Sequence, residues 1–154
     1  MQDFRRLQVW QKAHALAIDV FRVTGAFPRR VGVPLVNQLR RAALSVPANI
    51  AEGAGKATSA EFHRFLQIAM GSASEAEYHL LVARDLGALN NELFDDLCHR
   101  MVEVRRMLVG LAKRVSDKHP AATRPANLTS PLPPPSNSEA LQGAPTNAVT
   151  LTDS

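Results

Sequence analysis

The chain has 154 residues, of which 45% are hydrophobic but only 5% aromatic, and its formal net charge is +4. A single cysteine excludes an internal disulfide, and no apolar run approaches the ~20 residues of a membrane span, so we expect a cytoplasmic protein without a membrane partner. The charges of residues 118–154 cancel, so the positive excess lies in residues 1–117 and attracts polyanions mildly.

The first predicted helix runs from about Leu7 to Ala26, because apolar residues recur there every three or four positions. This stripe consists of Val9, Ala13, Leu16, Val20, Val23 and Phe27. Glycines and prolines then predict a link to the next helix, at Gly25, Pro28, Gly32 and Pro34.

The second predicted helix has three distinct flanks and an interior proline. Its core-facing stripe is Leu35, Leu39, Ala42, Ala43, Val46 and Ile50, and its polar flank is Gln38, Arg41, Ser45, Asn49 and Glu52. Pro47 predicts either a kink or a break, because it removes one backbone hydrogen bond, and Ser45, Asn49 or water could meet the freed carbonyl. Gly53 and Gly55 predict a C-terminal cap, so this helix should end near Glu52.

The third flank of this helix is apolar where water would be expected. It carries Leu44, Ala48 and Ala51 beside Pro47. An apolar flank of this kind favours a protein partner. We therefore predict a homo-oligomer whose interface includes Leu44, Pro47, Ala48 and Ala51.

Two further helices are predicted, and each begins with a capping residue. Thr58 and Glu61 form a capping box, and the helix that follows should reach Leu86 and end at Gly87. Its core stripe is Phe62, Phe65 or Leu66, Ala69, Ala73, Ala76, Leu80 and Ala83. Asn90 caps the last helix, whose stripe is Phe94, Leu97, Met101, Val104, Leu108, Leu111 and Val115, and whose final turns carry Arg106, Lys113 and Arg114 in favourable positions for the helix dipole.

Four helices with short connections predict an all-α, antiparallel up-down four-helix bundle over residues 1–117. Residues 118–154 hold seven of the ten prolines and no Phe, Trp or Tyr, so we expect a Pro-rich disordered tail. Within it, Pro131–Pro135 could be a polyproline ligand, although a spacer is the favoured interpretation.

No pattern of catalytic or metal-binding residues emerges. A di-iron bundle needs Glu-x-x-His on two helices, whereas this chain offers a single Asp96-x-x-His99. Cys98 next to His99 is expected to be an inert thiol, since successive helical residues diverge by about 100°. We therefore expect no enzyme, no cofactor, no metal and no small-molecule substrate.

The candidate nucleic-acid-binding residues are three arginine pairs and one lysine. They are Arg5, Arg6, Arg29, Arg30, Arg40, Arg41 and Lys56. For Arg40 and Arg41 the alternative is an ion pair with an acidic residue such as Glu52, and for Lys56 it is a solvated side chain at a capped helix. Trp10 and Tyr78 are expected to pack and not to stack on bases.

Several segments resemble the proteins encoded within intervening sequences of bacterial 23S ribosomal RNA genes. They are Leu39–Gly53, Leu7–Ala13, Glu61–Ser72 and the helix end at Leu86–Gly87, and the resemblance covers residues 4 to 116 with mild departures at Ala54 and Ala57. It implies a cytoplasmic, non-enzymatic four-helix bundle that assembles as a ring-like homopentamer. The family is similar to accessory proteins of diversity-generating retroelements, which implies association with RNA or DNA.

Three functional hypotheses follow from these observations. The first is a nucleic-acid or ribonucleoprotein accessory that works as a homo-oligomer, and the second is an assembly scaffold that binds another protein. The third, a metal-dependent bundle enzyme, is the least supported, because the ligand motif is missing.

Overall fold

The computed structural model describes residues 3–117, with the side chain of Arg30 left aside. It contains α1 (Gln8–Gly25), α2 (Val33–Ala54), α3 (Ser59–Asp85) and α4 (Asn91–Asp117), with single 3-10 turns at Phe4–Arg6 and Arg29–Val31. The prediction of a disordered tail over 118–154, including Pro131–Pro135, lies outside the described residues.

The helices pack as an antiparallel up-down bundle, which confirms the predicted all-α fold. Each helix contacts the one that follows it, and α1 also packs against α4. The predicted stripes form one hydrophobic core, although Val23, Phe27, Leu35 and Phe94 are only half-buried. In α3 the core residue is Leu66, which is fully buried, whereas Phe65 is half-exposed.

Pro47 lies inside α2 without interrupting it, so the predicted break is wrong. The Pro47 side chain is buried within the chain. Ser45 and Asn49 do not meet the freed carbonyl; they bond to each other instead, since the Asn49 amide donates to the Ser45 carbonyl at 2.7 Å and to its hydroxyl at 2.9 Å. The Ser72 hydroxyl on α3 donates to Ser45 Oγ at 2.9 Å, which ties α3 to this flank of α2.

Gly53 is a packing residue and not the predicted cap. It is buried inside α2, which continues to Ala54, and an added Cβ would lie 2.7 Å from Phe65 Cβ and 2.8 Å from Phe62 Cδ2. The cap is Gly55, whose N–H donates to the carbonyls of Ala51 and Glu52. Only a residue without a side chain lets α3 approach α2 at Gly53.

The predicted ends of α3 and α4 are confirmed in detail. The Thr58 hydroxyl accepts from the Glu61 N–H at 3.2 Å and donates to its carboxylate at 2.7 Å. At the other end, Gly87 has φ of 68°, and its N–H and that of Ala88 return to carbonyls of the last turn of α3, as in a Schellman motif. Asn90 Oδ1 caps α4 by accepting from the Leu93 N–H at 2.8 Å.

Ion pairs connect α1 to α4 along the outside of their contact. Arg100 donates to Asp19 at 2.7 Å and to Asp96 at 3.2 Å, and its hydrogen bond and charge hold the pKa of Asp19 below the usual value. Lys12 and Glu103 form a second bridge at 2.6 Å. These pairs neutralise cations on this side of the bundle.

The two glycines Gly53 and Gly71 should respond in opposite directions to the same substitution. Gly53→Ala should lower the free energy of unfolding by about 1–3 kcal/mol, because the new methyl group overlaps the side chains of α3. Gly71→Ala is the matched control: nothing lies within 4 Å of its added Cβ, so the higher helix propensity of alanine should raise stability by about 0.5–1 kcal/mol. Urea denaturation measures both changes, and equal effects would contradict the close approach at Gly53.

Candidate nucleic-acid and assembly surfaces

Arg5 and Arg6 share one carboxylate in front of α1. Both are well exposed, and their guanidinium groups lie 3.9 and 4.0 Å from Asp3. Arg5 also lies over the ring of Phe4, at 4.6 Å from its centroid. Asp3 therefore offsets part of the charge of this pair.

Lys56 is paired and is not the solvated lysine of the alternative interpretation. Its ammonium group lies 3.2 Å from Glu52 and 5.0 Å from the centroid of the Phe65 ring. Arg40 and Arg41 form no ion pair with Glu52 or with another carboxylate of residues 3–117, so the alternative pairing within the subunit is wrong, and a pairing with a neighbouring subunit stays a prediction. The loop after α2 thus carries a neutralised charge.

Arg40 is held against the end of α1 by three contacts with uncharged groups. Its Nε donates to Thr24 Oγ1 at 2.7 Å, one Nη donates to the Phe21 carbonyl at 3.4 Å, and the guanidinium lies 5.0 Å from the Phe21 ring centroid. The buried Thr24 hydroxyl in turn donates to the Val20 carbonyl at 2.7 Å. Arg40 is thereby oriented while its charge stays unneutralised.

A cavity of about 480 Å³, hereafter the corner cavity, lies where the chain turns from α1 into α2. It brings together Arg29 and Arg40, which come from different predicted pairs. Its lining is Thr24, Gly25, Phe27, Pro28, Arg29, Gly32, Val33, Val36, Asn37 and Arg40. No carboxylate belongs to this lining. Gly32, with φ of 84°, allows the sharp redirection of the backbone that opens the cavity.

The outward face of α2 carries most of the predicted interface. Leu44 is 44% exposed, Ala48 is exposed and Ala51 is half-buried. Pro47 differs, because its side chain is buried in the monomer and offers no surface to a second copy. Arg41 is exposed on this same face, and the ion pairs of residues 3–117 do not include it.

A second group of cations lies in the second half of α4, where the sequence predicts a favourable helix dipole but no binding surface. Arg106, Lys113 and Arg114 are exposed and take no part in the ion pairs of the described chain. Arg114 lines two shallow grooves of about 650 and 660 Å³, and Arg6 lines the first of them. The seven-residue spacing of Arg106 and Lys113 was a signal that both face outwards.

The two aromatic residues expected to pack behave differently. Trp10 is half-buried, stacks on His14 at 5.0 Å and meets Phe4 edge-on at 4.9 Å, as predicted. Tyr78 is 60% exposed, so the expectation of packing is wrong for this residue. Tyr78 lies outside the stripe of small core residues on α3, so its ring points outwards.

Comparison with known proteins identifies the family. The family model described as 23S rRNA-intervening sequence protein matches residues 5–110. The chain belongs to this family. A comparison with curated proteins finds no match.

Among solved structures, this intervening-sequence protein is similar to a protein with unknown function from the S23 ribosomal protein family of Bacteroides thetaiotaomicron VPI-5482. The two chains are 23% identical with a TM-score of 0.64, and the match covers 68% of this chain and 95% of the other. At this identity the likeness shows the four-helix fold alone.

Two further findings concern the described part of this intervening-sequence protein. Within residues 3–117, no helix is long and apolar enough to cross a membrane. In the same range, no group of three His, Cys, Asp or Glu side chains is placed to hold a metal ion. The nearest carboxylate–imidazole pair is Glu75 with His79, 3.6 Å apart.

Cys98 is half-buried on α4, and burial raises the pKa of its thiol to about 11, with Glu77 and Asp95 adding to the rise. A thiol with so high a pKa is almost entirely protonated near neutral pH.

We therefore expect Cys98 to react with a disulfide reagent about a hundredfold more slowly than glutathione at pH 8, because so little thiolate is present. The rate should keep rising with pH beyond the range where glutathione reaches its plateau. Stopped-flow measurement of the reaction between pH 7 and pH 10 tests this. A rate equal to that of glutathione would contradict the buried environment.

Proposed function

We propose that this intervening-sequence protein is a non-catalytic, homo-oligomeric accessory protein that binds RNA or DNA in the cytoplasm. The observation that carries the proposal is the separation of its cations into two classes. One class is neutralised by carboxylates on the bundle, and the other, without carboxylate partners in residues 3–117, lies mostly in two clusters toward opposite ends of the bundle.

The neutralised cations lie both along the helices and at their ends. Arg22 and Arg100 share Asp19, Arg84 pairs with Asp85, and Arg105 lies 3.0 Å from Glu77. Charges satisfied in this way attract a polyanion weakly. They also consume many of the twelve carboxylates that residues 1–117 contain.

Six of the seven cations that form no ion pair within residues 3–117 fall into two clusters, and the seventh, Arg64, is exposed on α3. One cluster holds Arg29, Arg40 and Arg41 around the start of α2, and the other holds Arg106, Lys113 and Arg114 near the end of α4. In an up-down bundle these regions lie at opposite ends of the long axis. Each phosphate that such groups neutralise releases counterions, so binding would depend strongly on salt and little on sequence.

Self-assembly multiplies these charges. The outward face of α2, with Leu44 and Ala48, offers an apolar contact, and Arg41 lies beside it. A closed ring would repeat both basic regions around its axis and concentrate positive potential on each rim. We propose a homopentamer, in which the number five comes from the family resemblance.

A second candidate function, a scaffold that binds another protein, is favoured by apolar side chains away from that face. Tyr78 on α3 and Val109 on α4 are 60% and 55% exposed. A pull-down from nuclease-treated lysate would retain a defined polypeptide in reproducible ratio if this function holds. Loss of all co-purifying material on nuclease treatment would favour the nucleic-acid accessory.

The nucleic-acid proposal predicts salt-dependent binding of a fluorescein-labelled, single-stranded RNA of 20 nucleotides. Affinity measured by fluorescence anisotropy should fall about tenfold or more between 50 and 200 mM salt. The triple variant Arg29→Gln, Arg40→Gln, Arg41→Gln should bind more weakly and with a smaller salt slope, because three unneutralised charges are removed.

The matched control removes the same charge from neutralised positions, with Arg22→Gln, Arg84→Gln and Arg105→Gln combined. It should keep most of the affinity. Absence of binding by the unmodified protein at 50 mM salt would end the proposal, and equal losses in both triple variants would show that only net charge matters.

The assembly proposal predicts that Leu44→Glu yields a folded protein of smaller mass, because a charge cannot be buried at an apolar contact without a partner. Leu93→Glu is the control, since Leu93 on α4 has a similar exposure of 42%. Multi-angle light scattering should find the native mass for Leu93→Glu only. An unchanged mass for Leu44→Glu would place the interface elsewhere.

A further inference from the structure

We propose that the corner cavity binds one unpaired nucleotide of a nucleic-acid chain, with its phosphoryl group on Arg40 and Arg29 and its base against the apolar wall. The inference rests on the proposed function and deepens it, because it names a particular site and the form of nucleic acid that fits there. Three features of the cavity support it.

The first feature is the fixed orientation of Arg40. Its Nε and one Nη are occupied by Thr24 Oγ1 and the Phe21 carbonyl, and the Phe21 ring covers one face of the group. The remaining N–H donors belong to a side chain that lines the cavity. A planar guanidinium held in place loses little conformational entropy when it binds a phosphate through two parallel hydrogen bonds.

The second feature is the charge of the lining. Arg29 and Arg40 both line the cavity, and no carboxylate does. Neither arginine belongs to an ion pair within residues 3–117, whereas Arg22, Arg84 and Arg105 do. A half-enclosed site with two cations and no counter-charge favours an anionic group.

The third feature is the apolar wall. Phe27, Pro28, Val33 and Val36 form it, and the volume of about 480 Å³ falls within the roughly 300–1,000 Å³ of sites that hold small organic molecules. A phosphate ion alone gains nothing from an apolar wall. A base can pack against the wall, but only if it is unstacked from its neighbours, as at a chain end, a loop or a bulge. Asn37 on the rim can donate to or accept from a base edge.

Thr24 acts here as a positioning residue. It is buried in α1, and its hydroxyl joins the Val20 carbonyl to Arg40 Nε. Removing the hydroxyl would leave Arg40 free to rotate while keeping its charge. The affinity of the cavity should therefore depend on Thr24 even though Thr24 itself need not touch the ligand.

The experiment uses the full chain and observes ligand line broadening by NMR with adenosine 5′-monophosphate, adenosine and inorganic phosphate at 50 mM salt. We expect the monophosphate to bind, the nucleoside to bind at least tenfold more weakly, and phosphate alone to lie between them or below. A single-stranded oligoadenylate of ten nucleotides should displace the monophosphate. Equal binding of adenosine and its monophosphate would overturn the proposal.

Substitutions test whether the monophosphate binds in the cavity. Arg40→Gln should weaken binding of the monophosphate about tenfold and the exposed Arg29→Gln about threefold, since charge-assisted hydrogen bonds are lost. Arg64→Gln is the control, because it removes the same charge from an exposed position on α3 outside the cavity and outside the proposed binding regions. Thr24→Val should weaken binding while Thr24→Ser restores it, and circular dichroism confirms that each variant is helical.

The outcomes separate this inference from the proposed function. Binding of the monophosphate that depends on Arg40, without binding of any oligonucleotide, would support a site for a free nucleotide in the cavity, but it would overturn the nucleic-acid chain as the ligand and contradict the accessory role. Binding of the ten-nucleotide chain with equal affinity by the unmodified protein, Arg40→Gln and Arg29→Gln would support the accessory role and overturn the cavity.

Discussion

The surfaces of this bundle depend on how α2 is fixed between its two neighbours. On one side, Gly53 brings the α2 backbone against Phe65 and Phe62 of α3. On the other side, Arg40 reaches across to Thr24 and Phe21 at the end of α1. With both flanks held, the third face of α2 has a fixed orientation and presents Leu44, Ala48 and Arg41 together. The candidate assembly face and the corner cavity therefore have a common origin.

The distribution of carboxylates decides which cations face solvent with their charge intact. Asp19 binds two arginines, Glu77 binds Arg105 and Glu52 binds Lys56. These pairs neutralise part of the positive charge along the helices and at their ends. Most cations without a carboxylate partner in residues 3–117 lie in two clusters, so a modest net charge of +4 becomes two concentrated regions. For a protein of this family, the position of the anions is thus as informative as the position of the cations.

Periodicity was sufficient to predict the helices, because each core stripe repeats over several turns and several helix ends carry a capping residue. Thr58, Gly87 and Asn90 act as the sequence predicts. Gly53 could not be interpreted correctly, since a glycine near a helix end fits both a cap and a close contact, and only the position of α3 separates the two. Pro47 is similar, because packing on both sides of α2 outweighs the local cost of a proline inside a helix. That packing is set by the fold and not by the segment itself.

The candidate site was predictable in composition but not in arrangement. The three arginine pairs were visible in the sequence. Arg29 and Arg40, however, line one cavity because the backbone turns at Gly32, eight residues before Arg40. The role of Thr24 could have been predicted from the sequence, because it lies four residues after Val20 on a buried face, where its hydroxyl can donate to the Val20 carbonyl. The pairing of Lys56 with Glu52 follows helical spacing and could have been expected, whereas the choice of Glu52 between Lys56 and Arg41 needed coordinates.

The contacts that lock α2 to α3 also bear on the order in which the molecule forms. Ser45 with Ser72, and Gly53 with Phe65, all lie within residues 45–72 and fix the register of the two helices at two points roughly 12 Å apart along α2. These contacts are complete in sequence at Ser72, before α3 ends at Asp85 and α4 begins at Asn91. Since α1 already precedes them, a nascent chain emerging from the ribosome can close three helices first, and α4 then has a finished groove to enter.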